Sequence, residues 1–338
     1  MSLGPAPFLL HEPIGALWLC AKVTLLLALV SVAVARSPRL SDAARHRLWT
    51  FGLAGALALV LLTPIVPRVR FDVGRRSGTG SVVVQPHAIP PEVLIVRPSH
   101  ASGPSLSSTA LEVLGWMSTL WLAGVVAMLL RLGCSQLLLL RLARKARAAS
   151  AELRSGWERA RGPETRARVL ISDKIAAPIT WGSLRPLILL PAAAERWPAA
   201  RIRSVLAHES AHVRRLDHFA QSLGRITCAL FWFHPLAWVA LRGMRATSER
   251  AADDRALRSG VPANEYAAHL IAVARRSWRH PDISGGVGMA RRTEFEQRIV
   301  AILEASRRLA PDPRPRTGLV LAYGAALVAL AAIRVHIG

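Results

Sequence analysis

The stretch His208-Glu209-Ser210-Ala211-His212 decides how the rest of the chain is interpreted. On an α-helix, residues four apart lie on one face, so both histidines can direct an imidazole at a single metal ion. Glu209 lies beside them, where its carboxylate can take a proton from an attacking water molecule. Pro198 predicts the start of this helix, because proline costs no hydrogen bond in the first turn. The stretch therefore predicts the zinc centre of a hydrolase that still needs a third protein ligand.

A second pattern, Thr247-Ser248-Glu249-Arg250-Ala251-Ala252-Asp253, can supply that ligand. Its helical setting puts Glu249 and Asp253 on one face, and the spacing from the first motif leaves room for a loop and a returning helix. Zinc in catalytic sites takes three protein ligands and keeps one position open. We therefore predict one Zn²⁺ per chain, bound by His208, His212 and Glu249. Asp253 is expected to hydrogen-bond the other nitrogen of a ligand imidazole and fix its tautomer.

Each part of this predicted site also has an ordinary structural explanation. The two histidines of the first motif can be hydrogen-bonded core residues. The two carboxylates of the second can form a solvated helix face, paired with Arg245 and Arg250. The alternative zinc ligands are His218 and His234. The combination of both motifs on helices separated by an apolar hairpin favours the metal site.

The composition indicates a membrane protein. Hydrophobic residues make up 52% of the 338 residues, and Leu, Ala and Val rather than Phe and Tyr carry this content. The formal net charge is +23, which would also suit a nucleic-acid-binding protein. No nucleic-acid-binding motif accompanies the charge, whereas cytoplasmic loops of membrane proteins accumulate arginine. The three cysteines form no CxxC pair, so neither a thiolate zinc site nor a disulfide framework is predicted.

Four apolar stretches predict transmembrane helices, each of which needs about 20 residues. They are residues 14–35, 48–66, 111–142 and 318–333. A cleaved signal peptide is the alternative for the first stretch, but its basic residues follow the apolar run instead of preceding it. Basic clusters after the first and third stretches mark the cytoplasmic side. An apolar run at 225–241 is interrupted by a proline and is interpreted as a buried or membrane-surface helical hairpin.

The predicted fold is a mainly α membrane protein of about four transmembrane helices with a cytoplasmic α+β metalloprotease domain between the third and fourth spans. The predicted units are residues 1–66 (two spans and a short cytoplasmic loop), 67–110 (an extracytoplasmic loop with a candidate strand near 81–84), 111–142 (the third span), 143–316 (the protease domain) and 317–338 (the fourth span and a short tail). Within the domain, residues 168–172 and 187–190 predict two strands that form a hairpin or a small sheet beside the catalytic helix. Such a sheet either binds substrate backbone or is purely structural.

Further segments accompany the two metal-binding motifs, residues 208–212 and 249–253. They are Ala43-Ala44-Arg45-His46-Arg47-Leu48-Trp49, Ala177-Pro178-Ile179-Thr180-Trp181-Gly182, Arg185-Pro186-Leu187-Ile188-Leu189-Leu190-Pro191, Arg215-Leu216-Asp217, residues 231–235, and Phe295-Glu296-Gln297-Arg298-Ile299 with Ile302-Leu303. Together these segments resemble the BlaR/MecR family of integral-membrane zinc metallopeptidases, close to the gluzincin type. The resemblance implies a multi-pass protease of the bacterial inner membrane with a cytoplasmic active site. Signalling members carry a penicillin-binding sensor after the fourth span. The sequence ends at Gly338 without one, so β-lactam sensing is not expected.

The predicted activity is peptide-bond hydrolysis with Glu209 as general base, and Tyr266 and His269 as candidate donors to the oxyanion. The expected partners are the lipid bilayer and a protein substrate, either a winged-helix repressor or the chain itself, cut within residues 281–292. No direct nucleic-acid contact is expected, and a homodimer stays open. The alternatives are a non-catalytic membrane transducer with a structural metal site and a quality-control protease with many clients.

Overall fold

The computed structural model describes residues 13–38, 40–63, 69–72, 108–161, 167–279, 288–305 and 333–336. The described helices are α1 Pro13–Arg36, α2 Asp42–Leu62, α3 Ser108–Lys145, α4 Ala151–Arg161, α5 Ala199–Arg215, α6 Asp217–Leu230, α7 Pro235–Arg258, α8 Ala263–Arg279 and α9 Gly288–Ala305. The described strands are β1 Val69–Asp72, β2 Arg147–Ala148, β3 Arg168–Ser172, β4 Ile179–Trp181, β5 Leu187–Pro191 and β6 Ile333–His336. A short 3-10 helix, Ala192–Arg196, follows β5.

Two of the described helices, α1 and α3, are long and apolar enough to cross a membrane. Large apolar side chains on α3 face outward; Trp116 is 76% exposed and Leu130 is 63% exposed. Such a surface suits contact with lipid. The second predicted span is a helix, α2, but it does not meet the same criterion of length and hydropathy. The fourth predicted span lies outside the described residues except for Ile333, so the four-span arrangement stays a prediction.

The α2 helix begins earlier than the predicted second span, which changes the position of a basic segment. Ser41 Oγ accepts a hydrogen bond from the N–H of Ala44 at 3.3 Å, and Asp42 lies in the first turn. Both features stabilise a helix start. Residues 45–47, which the sequence predicted as part of a connecting loop, therefore belong to the helix. As a consequence His46 is buried, only 3% exposed.

Helices α1, α2, α6 and α7 pack around one apolar core. Its members include Leu27, Leu53, Cys228 and Met244, one from each helix. Lys22 of α1 is 5% exposed, so the single charge of the first predicted span faces other helices. The predicted hairpin at 225–241 is confirmed as the end of α6 and the start of α7, joined by a turn at residues 231–234.

Close packing at Gly243 of α7 yields a first prediction. A β-carbon at this position would lie 2.7 Å from Cε2 of Trp49, a core residue of α2 that is 7% exposed. Gly243→Ala should therefore destabilise the protein by about 1–3 kcal/mol, the usual cost of overpacking. Thermal unfolding in detergent measures the change. Gly133→Ala on α3 is the control, because no atom lies within 4 Å of a β-carbon there; equal melting temperatures for the two variants would contradict the packing argument.

The predicted strands at 168–172 and 187–190 are confirmed as β3 and β5 of a four-stranded sheet in the order β2-β3-β5-β4. β3 and β5 are parallel, so they do not form a hairpin, and β4 pairs antiparallel with β5. The buried faces of β3 and β5 pack on α4 and α5 through a second core that includes Trp157, Ile188 and Leu206. This arrangement leaves β4 as an edge strand beside α5.

A separate pair of strands joins two distant segments of the chain. β1 pairs in parallel with β6, with Val69 opposite Ile333. β6 thus begins at the last residue of the predicted fourth span. The candidate strand near 81–84 lies outside the described residues.

Candidate metal centre

Helices α5 and α7 bring together the three side chains predicted to bind zinc. The Nε2 atoms of His208 and His212 are 3.2 Å apart, and each is 3.7 Å from a carboxylate oxygen of Glu249. One ligand atom from each residue lies within 4.8 Å of the other two. Zinc bonds to nitrogen and oxygen of about 2.0–2.2 Å in a tetrahedral site place ligand atoms about 3.3–3.6 Å apart. The observed separations are close to this range.

The two Nε2 atoms and the Glu249 carboxylate can lie this close together only if a positive charge lies between them. The Nδ1 atoms of both histidines face carboxylates, so they carry the ring protons and the Nε2 atoms offer lone pairs. Two lone pairs at 3.2 Å beside the Glu249 carboxylate repel one another unless a cation or a proton lies between them. Although burial opposes the charged form, the hydrogen bond to Asp217 and the Glu249 charge raise the pKa of His212. Two imidazoles and one carboxylate form a ligand set that suits Zn²⁺.

Asp253 lies where the sequence predicted it, behind a ligand imidazole. Its Oδ1 is 3.2 Å from Nδ1 of His208. The hydroxyl of Tyr266 donates to the same carboxylate oxygen at 2.8 Å and is 3.0 Å from His208 Nδ1. A carboxylate on the second nitrogen orients a metal-binding histidine and makes it a stronger ligand.

Asp217 orients the other ligand, a role that the sequence analysis did not predict. Its Oδ2 accepts a hydrogen bond from His212 Nδ1 at 2.7 Å. The turn that places it there contains Leu216, whose φ of 55° lies in the left-handed region that non-glycine residues rarely adopt. Leu216 ends α5 and Asp217 begins α6. The left-handed conformation of Leu216 therefore turns the chain sharply between α5 and α6. This turn brings the Asp217 carboxylate next to His212, five residues earlier in the sequence.

Asp217 also connects the metal centre to α2. It is 1% exposed and accepts further hydrogen bonds from Arg215 and from the hydroxyl of Ser248, at 2.7 and 2.6 Å. His46 Nε2 lies 3.2 Å from Oδ1 of Asp217, and His46 Nδ1 lies 3.1 Å from the carbonyl oxygen of Met244. Although burial opposes ionisation, the hydrogen bonds from His212 and His46 hold the pKa of Asp217 well below its usual value. A charged carboxylate thus connects α2, α6 and α7 to His212, one of the three predicted ligands.

Arg298 of α9 is a second residue that the sequence analysis did not assign to the site. It donates two hydrogen bonds to Asp253, at 2.8 and 2.9 Å, and its Nη1 lies 2.8 Å from Glu249. Burial opposes the charged form of Glu249, but Arg298 and the two imidazoles keep the pKa of Glu249 below its usual value. A bidentate guanidinium fixes carboxylate geometry. Arg298 therefore holds the third ligand and the supporting carboxylate in one arrangement.

The structure places the remaining candidates outside the metal group. His234 Nε2 is 2.8 Å from Thr24 Oγ1, and His218 Nδ1 is 3.2 Å from Ser183 Oγ. Tyr266 also lines the cleft, but it is fully buried and its hydroxyl contacts Nδ1 of His208 and the carboxylate of Asp253, so it supports a predicted ligand. His269 contacts Ser204 and is absent from the lining of the cleft.

Glu209 faces a cleft of about 440 Å³ that also contains the three predicted ligands. Its Oε2 accepts a hydrogen bond from the hydroxyl of Thr180 at 2.5 Å. Thr180 belongs to the edge strand β4, and its neighbours Ile179 and Trp181 line the same cleft. Gln136 of α3 accepts a hydrogen bond from Trp181 Nε1 at 2.7 Å. The Glu209 carboxylate, the edge strand β4 and the candidate membrane helix α3 therefore meet at one opening.

Comparison with known proteins identifies the family to which the chain belongs. Over 88 residues the chain is 31% identical to the Regulatory protein BlaR1 of Bacillus licheniformis. That segment is 26% of this chain and 15% of the relative, so most of the relative's length is not matched. The family model described as BlaR1 peptidase M56 matches much more, residues 16–302, a range that includes every residue of the metal group. These matches confirm the resemblance to the BlaR/MecR family. The chain belongs to the BlaR1 peptidase M56 family of membrane metallopeptidases.

Proposed function

We propose that the protein is a membrane-embedded zinc metalloendopeptidase that hydrolyses peptide bonds at the cytoplasmic face of the bacterial inner membrane. The observation that carries this proposal is the convergence of His208, His212 and Glu249 in a cleft that also holds Glu209. A purely structural zinc site closes its fourth position with a protein ligand and has no use for a further carboxylate. Here the additional carboxylate, Glu209, is present, buried and directed at the cleft.

The mechanism assigns a separate task to each residue. His208, His212 and Glu249 would hold zinc, which would supply a Lewis acid for the attacking water and for the carbonyl of the scissile peptide bond. Glu209 accepts a proton from the attacking water and delivers it to the leaving amine nitrogen. Thr180 holds the Glu209 carboxylate in place through the hydrogen bond described above. Asp217, Asp253 and Arg298 keep the ligands oriented.

The edge strand β4 is the proposed binding surface for the substrate backbone. β5 pairs with one edge of β4, and within the described residues no strand pairs with its other edge. An extended peptide can add to such an edge by main-chain hydrogen bonds. The strand lies beside α5 and contributes Thr180 to the base, so a peptide paired with it passes next to the catalytic carboxylate.

Two features of the chain support a cytoplasmic site. Arg144 and Lys145 end α3, which favours the cytoplasmic side for the domain after this helix. β1 and β6 follow the second and fourth predicted spans and pair with each other. Paired strands lie on one side of a membrane, which is consistent with two crossings between them. The proposed substrate is a winged-helix repressor or the chain itself. Of the stretch proposed for self-cleavage, residues 281–287 lie outside the described residues, whereas 288–292 start α9.

Removal of the metal tests the proposal. The full chain, purified in lipid nanodiscs, should contain about one zinc per chain and cleave unfolded protein or peptide mixtures. A chelator should abolish cleavage, and stoichiometric zinc should restore it. Cleavage that survives complete zinc removal, or a zinc-loaded chain that cuts no peptide in a broad mixture, would contradict the proposed activity. The second result would favour a transducer with a structural metal.

The raised pKa of His212 predicts how zinc affinity depends on pH. A histidine must be neutral to bind zinc. Because the pKa of His212 lies above the ordinary histidine value, protons compete with zinc at a higher pH than usual. As pH falls through that raised pKa, the affinity should drop about tenfold per pH unit, one proton being displaced. Competition with a chromophoric chelator between pH 8 and 5.5 measures the slope. A constant affinity down to pH 6 would contradict the prediction.

A further inference from the structure

One face of α6 forms a polar wall of the catalytic cleft. His218, Gln221 and Arg225 all line the cleft, and their spacing puts them on the same side of a helix. The wall leads away from the predicted metal ligands, because the first residue of α6, Asp217, contacts His212 and later residues lie further along the helix. Arg225 lies seven residues beyond His218, which is about 10 Å along the helix axis. A positive charge therefore stands at one end of the cleft.

A second arginine adds to this charge. Arg131 of α3 is exposed. Because α3 packs against α6, the charge of Arg131 acts on the Arg225 guanidinium. Burial and the positive charge of Arg131 both lower the pKa of Arg225. Within the described residues, neither arginine has a hydrogen bond or an ion pair. By contrast Arg298, in the same cleft, is bound to two carboxylates.

Two neighbouring guanidinium groups without a counter-ion among the described residues disfavour each other's charge. A carboxylate placed between them would remove this repulsion and accept several charge-assisted hydrogen bonds. We infer that Arg225 and Arg131 form a subsite for an acidic side chain of the peptide substrate. The inference rests on the proposed function, since it names the substrate class of that same cleft.

The distance along α6 between His218 and Arg225 indicates which substrate residue can reach the arginines. An extended peptide advances about 3.3–3.6 Å per residue. The 10 Å or so along α6 from His218 to Arg225 therefore corresponds to about three residues. Because α6 starts beside His212, we expect Asp or Glu at one position about three or more residues from the scissile bond, on one side of it. An anionic phospholipid headgroup has similar chemistry, but Arg225 lines the same cleft as the metal ligands and β4, which favours the peptide.

The test uses the zinc-loaded full chain in nanodiscs of neutral lipid and a peptide library derived from a whole proteome. Mass spectrometry of the products should show Asp and Glu enriched at the predicted position. Arg225→Glu should reduce cleavage of acidic peptides at least tenfold and favour Lys or Arg there instead. Arg225→Gln, a milder change, should lose the acidic preference without reversing it. Arg242→Glu, an exposed position on α7 outside the cleft lining, is the control.

A binding measurement separates this inference from the proposed function. The Glu209→Gln chain is used to capture the same library without cleavage. If the wild-type chain cuts nothing, the proposed activity fails. Acidic enrichment among captured peptides that the added Arg225→Glu change abolishes would still support the subsite. Three outcomes would overturn it: no acidic enrichment in cut or captured peptides, enrichment that both Arg225 variants leave intact, or an effect of Arg225 confined to phosphatidylglycerol-containing nanodiscs, which would indicate a lipid headgroup site.

Discussion

Glu209→Gln should abolish measurable peptide hydrolysis while the protein keeps its zinc. General acid–base catalysis contributes about 10²–10⁴-fold to a rate, and a glutamine amide can neither accept the proton of water nor deliver it to the leaving amine. Zinc should remain because Glu209 is not one of the three converging ligands; its hydrogen-bond partner is Thr180. Initial rates on a cleaved peptide, with zinc content measured on the same sample, give both quantities.

The matched control for this experiment is Glu265→Gln. Glu265 lies on α8 outside the cleft, with 43% of its side chain exposed and His269 as its neighbour, so the same chemical change should leave the rate within about twofold, as expected for a surface substitution. Loss of zinc in Glu209→Gln would mean that this carboxylate is a ligand. Retained activity would mean that it is not the base.

The inactive chain also distinguishes regulation from quality control. Glu209→Gln keeps the cleft and the metal ligands, so substrates should stay bound instead of being released as products. Proteins captured by this variant in cells and not by the wild type are then identified. A single transcriptional repressor, or a second copy of the chain, would support regulated proteolysis. A broad mixture of unfolded proteins would support a quality-control protease.

The ligands could be predicted from the sequence because their spacing is local. His208 and His212 are four apart on one helix, as are Glu249 and Asp253 on another, and helix periodicity alone puts each pair on one face. The positions of strands β3 and β5 could also be predicted, because their β-branched and leucine-rich runs of five residues are bounded by prolines and turns. The parallel direction of these two strands could not be predicted, because strand pairing depends on contacts between residues far apart in sequence.

The supporting residues could not be assigned from the sequence because they act across tertiary contacts. His46 reaches the site from α2 and Arg298 from α9, and nothing near them in the sequence identifies the carboxylate that each one binds. The start of α2 was misplaced because basic residues resemble a loop, whereas the Ser41 cap extends the helix through them. Of the residues that the sequence analysis missed, Asp217 would have been the easiest to predict. An acidic residue five positions after His212 is a local signal, but its role depends on the left-handed turn at Leu216.

Asp217→Asn should strongly reduce both stability and zinc affinity. The buried carboxylate faces Arg215, His46 and His212, and an amide would lose the charge while turning a donor toward groups that also donate. Breaking a buried ion pair costs about 3–5 kcal/mol, and removing a carboxylate behind a ligand histidine weakens metal binding about 10–100-fold. Thermal unfolding with and without zinc, together with chelator competition, measures the two effects.

The pH dependence and a surface control make this last prediction specific. Because the pKa of Asp217 is lowered in the folded protein, its contribution is fully present above the unfolded value of about 3.9 and is lost as pH falls further. The difference from wild type should therefore persist between pH 5 and 8. Asp42→Asn removes a partly exposed pair with Arg250 and a charge in the first turn of α2, each of which is worth about 0–1 kcal/mol. If both variants lost equal stability, Asp217 could not be the connection through which α2 and α7 hold His212 in position for zinc.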